Sequence, residues 1–202
     1  MHRFVYLASQ SPRRAQLLDQ LGVPHRPLLP HRRENAERLE EPRSDEPPDE
    51  YVRRVTLAKL MAARNRLGTR GLVPAPILAA DTTVAAGRRI LGKPADEAEA
   101  AEILRALSGR WHRVLTAVAV SHGTQNLLAV SVSRVRFAAL SERTIGRYIA
   151  GGEPFGKAGA YAIQGPISAW IERIEGSYTG IMGLPLFETR ELLARARVAS
   201  AM

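Results

Sequence analysis

Three short stretches carry the residue types that phosphate chemistry needs. The first is LASQSPRR, residues 7–14, directly after the apolar run Phe4-Val5-Tyr6-Leu7. Serine is a good N-cap and proline is favoured at the first helical position, so Ser11-Pro12 predicts a helix start. A helix start presents free backbone N–H groups and the positive end of the helix dipole, which together attract anions. Ser9 and Ser11 add hydroxyl donors, and Arg13 and Arg14 add guanidinium forks that match phosphate oxygens. Consecutive helical residues point about 100° apart, so at most one of the two arginines reaches straight at a ligand. Taken alone, the stretch is satisfied equally well by an ordinary capped helix with two solvated arginines.

The second stretch, AADTT, places Asp81 inside an apolar run. A carboxylate there has to be paired, hydrogen-bonded or metal-bound. A hairpin turning at Gly87-Arg88 puts Thr82 opposite Lys93 and brings Asp81 within about one residue step of that lysine. A structural salt bridge at a sheet edge is the competing explanation. The third stretch, GKAGAYAIQG (156–165), offers glycines that let a backbone approach a ligand, Lys157 as a point charge, and Gln164 with paired donor and acceptor groups suited to a base edge. A loop with an incidental lysine would look the same. The lysine count adds to the pattern. Of 29 basic residues only three are lysine, namely Lys59, Lys93 and Lys157. Arginine and lysine are not interchangeable in tight sites, so the survivors mark places where a compact charge matters.

These residues need elements to position them. Residues 4–9 predict a buried strand, followed by a helix with Leu17, Leu18 and Leu21 on its apolar face and Gly22 beyond its end. Residues 31–50 are charged and proline-rich and predict a loop flanking the site, and residues 51–66 a basic helix carrying Lys59. Pro76–Val84 predicts a buried strand. Asp96 caps a helix running to Leu107. WHRVLTAVAV and NLLAVSVSRVRF predict two strands joined near His122-Gly123. A short helix follows Ser141, short strands fall near residues 169–174, and Pro185 starts a last helix. Strands and helices intermix without an internal repeat, which gives an α/β or α+β chain with a mixed sheet.

Composition narrows the function classes. The 202 residues suffice for one domain or two small lobes. No apolar run is long enough to span a bilayer, and the first residues make a poor signal peptide. Without cysteine there is no disulfide or thiolate metal site, and the five histidines show no metal-ligand spacing. A cytoplasmic protein with no membrane partner is the expectation. The net charge of +9 suits an acidic partner such as a nucleotide or nucleic acid. Aromatics are only 5% of residues, which argues against a base-stacking nucleic-acid surface.

In order and spacing, the motifs resemble the Maf proteins, nucleoside triphosphate pyrophosphatases of the ITPase-like fold. The resemblance runs through LASQSPRRAQLLDQLGV, LAADTTV, LGKPADEAEAAEILRALSG, TAV, YIAGGEPFGKAGAYAIQG and GSYTGIMGLPL, nearly the whole chain. It implies an α/β fold, a single domain over 1–202 whose mixed sheet and flanking helices form two lobes around a central cleft. It implies hydrolysis of a nucleoside triphosphate to a monophosphate and pyrophosphate, with a divalent metal (Mg, Mn or Co) as cofactor. Ser9, Arg13 and Arg14 match the phosphate-binding start, Glu34 the acidic residue of the first loop, and Lys59 the lysine of the next helix. Asp81 and Lys93 match the catalytic aspartate and lysine, and Gln164 the family glutamine. Glu34 and Asp81 are then the expected metal ligands, with Lys157 as a further phosphate contact and Thr82 and Gln164 as base readers. Arg13, Thr82 and Gln164 resemble the branch acting on dTTP and UTP. The sister branch associated with 7-methyl-GTP is the alternative, as is a basic nucleotide- or nucleic-acid-binding regulator linked to cell division. A homodimer is compatible with the resemblance. Gly156 stands where many members have aspartate, and Gly180 where asparagine is common.

Overall fold

The computed structural model describes residues 1–31, 34 and 37–200. Among these residues seven strands form one mixed sheet: β1 (Val5–Leu7), β2 (His25–Pro27), β3 (Ile77–Ala86), β4 (Arg89–Leu91), β5 (Trp111–His122), β6 (Gln125–Phe137) and β7 (Ile171–Glu175). Their order is β2-β1-β3-β5-β6-β7, with β4 alongside β3. β1 runs parallel to both β2 and β3, and every other pairing is antiparallel. Among the described residues six α-helices flank the sheet: α1 (Pro12–Gln20), α2 (Pro48–Thr69), α3 (Glu97–Leu107), α4 (Glu142–Ala150), α5 (Tyr178–Met182) and α6 (Leu186–Arg195).

β3 organises the site. It is buried along nearly its whole length, as its continuous apolar sequence requires of a central strand. One edge is paired with β5 from Leu78 to Ala85. The other edge is shared: β1 pairs with Ile77 and Leu78, and β4 pairs with residues 84–86. Residues 79–83 therefore have no strand beside them on that edge, and the sheet forks there. Side chains alternate across a strand. Leu78 and Ala80 face α1 and α6, packing with Leu17, Leu18, Leu192 and Leu193. Ala79 and Ala85 face α2, packing with Leu60, Ala63 and Val52. Asp81 and Thr82, adjacent in sequence, consequently belong to opposite faces at the open fork.

The elements differ from the sequence expectation in several places. α2 begins at Pro48, not at residue 51, because Pro48 and the acidic pair Asp49-Glu50 form a favourable first helical turn. Residues 37–40 of the expected loop form a 3-10 turn, while 32, 33, 35 and 36 lie outside the described residues. Residues 166–170 form a 3-10 turn before β7, and the five-residue α5 precedes the last helix. The hairpin register is as expected, with Ala86 opposite Arg89 and Val84 opposite Leu91.

Candidate active site

A cavity of about 410 Å³ opens at the fork of β3. Ser9, Arg13, Arg14, Lys59, Asp81, Thr82, Lys93, Lys157 and Gln164 all line it. Its floor is the unpaired edge of β3, and one wall is the start of α1. A second wall is the stripe Lys59, Ala62 and Arg66 of α2, which share a face at helical spacing. The glycine-rich segment 155–164 closes the far side. There, Gly159 adopts a φ of +71°, and a Cβ at that position would meet Val84 at 2.8 Å. Only glycine lets this backbone lie against β3.

On the α2 face, charges alternate in sign. Lys59 Nζ donates to Asp81 Oδ1 at 2.6 Å and lies 2.7 Å from Glu40 Oε1. The other oxygen of Glu40 accepts from Lys93 Nζ at 2.6 Å. Thr83 donates a long bond, 3.4 Å, to Asp81 Oδ2. Burial raises the pKa of the Glu40 carboxyl, but the two lysines more than offset this and leave it below its ordinary value. Lys93 thus reaches Glu40 and not Asp81. It sits beyond Leu91, the last paired residue of β4, so the ladder no longer aims its side chain. Lys59 fills the place beside Asp81.

On the α1 face, Arg14 is held by three bonds. Its Nε donates to the Gly183 carbonyl at 2.8 Å, one terminal nitrogen to Ser9 Oγ at 3.0 Å, and the other to Thr82 Oγ1 at 3.3 Å. Burial lowers the pKa of its guanidinium, while the carboxylates of Asp81 and Glu40 counteract that shift. Arg13 makes no side-chain hydrogen bond or ion pair among the described residues and keeps its fork for a ligand. Ser11 occupies the N-cap of α1, but its side chain caps nothing; Ser9 Oγ instead accepts from the Ser11 N–H at 3.2 Å. Pro12 has no N–H and the Arg14 N–H donates to the Ser11 carbonyl at 3.2 Å, so what the start of α1 offers the cavity is chiefly the positive end of its dipole and the Arg13 fork. Lys157 donates to the Glu153 carbonyl, and Gln164 is exposed at the rim.

Glu34 is elsewhere. The resemblance places it with Asp81, but it accepts from Arg66 Nη2 at 2.6 Å and from Arg66 Nε at 3.1 Å. That bonding holds its carboxyl down at about 2. Arg66 is buried on the cavity wall and also donates to the Leu28 carbonyl at 2.9 Å. A buried guanidinium needs such a partner, and Glu34 is committed to it. Among the described residues no three histidine, cysteine, aspartate or glutamate side chains converge on one point. Two carboxylates do: Asp81 and Glu40 meet at the Lys59 ammonium. Two hard oxygen groups suit a magnesium-like cation when substrate phosphates and water complete its shell.

Sequence reasoning missed Glu40, Arg66 and Thr116. Glu40 is one acid in a run of charges with no spacing to mark it. Arg66 is one arginine among many. Thr116 is a threonine in an apolar strand, and its value depends on a partner 34 positions away.

The sequence model of the family described as "Maf-like protein" matches residues 4–196. The chain belongs to the Maf family. Similar Maf proteins include a dTTP/UTP pyrophosphatase of Polaromonas sp. (strain JS666), 59% identical over 193 residues and covering 96% of each chain. The dTTP/UTP pyrophosphatase of Burkholderia pseudomallei (strain 1710b) is 58% identical over 97% of this chain and 95% of its own. That of Ralstonia nicotianae is 57% identical over 98% and 96%. The Maf match and these relatives span the fork, both charged clusters and the glycine-rich wall together.

Proposed function

We propose that this Maf protein hydrolyses dTTP and UTP to the monophosphate and pyrophosphate. The observation that carries the reading is the fork itself: an aspartate, two lysines and the free Arg13 fork converge on one cavity beside an uncapped helix start. Relatives sharing more than half of this sequence bear the name dTTP/UTP pyrophosphatase, which supports the substrate class. The reaction adds water across the bond between the α- and β-phosphates. Asp81 takes the proton of the attacking water, a role for a carboxylate within reach of the reacting phosphate. Arg13, Lys93 and the α1 start neutralise phosphate charge, and Lys157 assists from the glycine-rich wall. Incoming phosphate oxygens replace Glu40 as the partner of Lys93. Glu40, with Asp81 in the alternative where Asp81 is a ligand and not the base, would hold a divalent cation. When bound, the cation supplies charge neutralisation and orientation of the phosphates. Thr82 and Gln164 contact the base.

A nucleotide panel tests the reading. Pyrophosphate release is measured with magnesium or manganese for dTTP, UTP, CTP, GTP and 7-methyl-GTP. The highest kcat/KM is expected for dTTP and UTP. A preference for 7-methyl-GTP would move the chain to the sister branch, and no turnover of any triphosphate would leave it a binding protein.

A further inference from the structure

The hydroxyl of Thr82 belongs to a chain of bonds whose direction can be counted. Thr116, fully buried on β5, lies directly opposite Thr82 in the β3–β5 ladder. Its Oγ1 is 2.7 Å from the Gly180 carbonyl and 3.0 Å from Thr82 Oγ1. A carbonyl only accepts, so the single Thr116 proton goes to Gly180. The contact between the two hydroxyls is then donated by Thr82. The other hydrogen-bond neighbour of Thr82 is an Arg14 terminal nitrogen at 3.3 Å, which only donates. Thr82 thus spends its one proton on Thr116, receives one from Arg14, and keeps one lone pair.

The geometry points to Thr116 as a positioning residue for base selection, fixing Thr82 as a hydrogen-bond acceptor toward the cavity. A ligand group resting on Thr82 must then donate. The imide N3–H of uracil and thymine donates; the N3 of cytosine, otherwise nearly the same shape, accepts. Two acceptors facing each other in a half-buried site leave both unpaired, which is costly. The relay accordingly selects the imide bases against cytosine without any size filter. It rests on the reading above that the base lies against Thr82. Nearby geometry keeps the relay in place. A Cβ at Gly180 would sit 3.1 Å from the Ser177 side chain, and the Gly180 N–H is bonded to Ser177 Oγ at 3.0 Å. The carbonyl that terminates the relay is therefore fixed by its own helix start.

The test compares kcat/KM for UTP and CTP in wild type, Thr116→Val, Thr116→Ser and Thr82→Val, with circular dichroism on each. Thr116→Val frees the Thr82 proton, so the UTP:CTP ratio is expected to fall by about 10- to 100-fold, the range for one mismatched buried hydrogen bond. Thr116→Ser retains a hydroxyl and is expected to keep the ratio. A loss of packing alone would lower both substrates together. If Thr116→Val does not fold, Thr116→Ala removes the same hydroxyl with less steric demand and carries the same expectation. An unchanged ratio in Thr116→Val, with a lowered ratio in Thr82→Val, overturns the relay while leaving Thr82 as a base contact. An unchanged ratio in both overturns the relay because the base does not rest on Thr82 at all.

Discussion

The two lysines of the acid cluster make the same type of bond, yet their surroundings differ. The Lys59 side chain is 18% exposed and faces Asp81, itself 9% exposed. The Lys93 side chain is 49% exposed. Removing one partner of a buried pair strands the other charge and costs on the order of 3–5 kcal/mol, whereas an exposed pair contributes about 0–1 kcal/mol. Lys59→Met is therefore expected to lower the unfolding midpoint in denaturant and to impair turnover. Lys93→Ala is expected to leave the midpoint nearly unchanged while lowering kcat. Denaturant titration beside steady-state kinetics separates the two, and equal loss of stability in both variants would contradict this division. Lys93→Arg is not expected to restore full activity, because a planar fork does not replace a point charge.

Among the elements, the legible ones have strong local signals. Ser11-Pro12 marks the α1 start, the apolar run marks β3, and the turn at Gly87 gives the hairpin register correctly. The register does not give the Lys93 contact, since a strand pairing fixes a backbone position and not the reach of a long side chain past the strand end. Asp81 was legible because a charge in a buried strand has few explanations. Its neighbour Lys59 was legible only as a rare residue type. Glu40 was hidden because its position depends on α2. Arg54 of that helix donates to Leu39 O at 3.4 Å, Glu41 O at 3.0 Å and both Glu46 oxygens, and Tyr51 Oη donates to the Glu40 carbonyl at 2.7 Å. Contacts between a helix and an irregular segment leave no periodic trace in sequence. β2 escaped notice for a different reason: three residues ending in proline form an edge strand with only β1 as neighbour.

At the scale of the whole molecule, the sheet joins the site to a second buried group. His112 on β5 packs between Phe137 and Tyr161, and its Nε2 lies 2.8 Å from the Tyr161 hydroxyl, while Nδ1 has no hydrogen-bond partner among the described residues. Burial pushes its pKa from 6.5 down to about 4. The unfolded chain therefore takes up this proton near pH 6.5 and the folded chain only near pH 4. Folding stability should fall as pH drops through that window, by on the order of 3 kcal/mol. Glu34, hydrogen-bonded to Arg66, adds a further loss only below about 4.5. Denaturant unfolding at pH 7 and pH 4.5 checks this, and His112→Gln should flatten the difference; an equally steep loss in that variant would place the pH sensitivity elsewhere. The central claim concerns the fork, where Asp81 drives hydrolysis of a bound triphosphate. Pyrophosphate release from saturating dTTP by Asp81→Asn, with nucleotide binding measured on the same sample, tests it most directly. The account predicts intact binding with release slowed by about 10²- to 10⁴-fold, the usual loss for a missing general base. Release near the wild-type rate would contradict it.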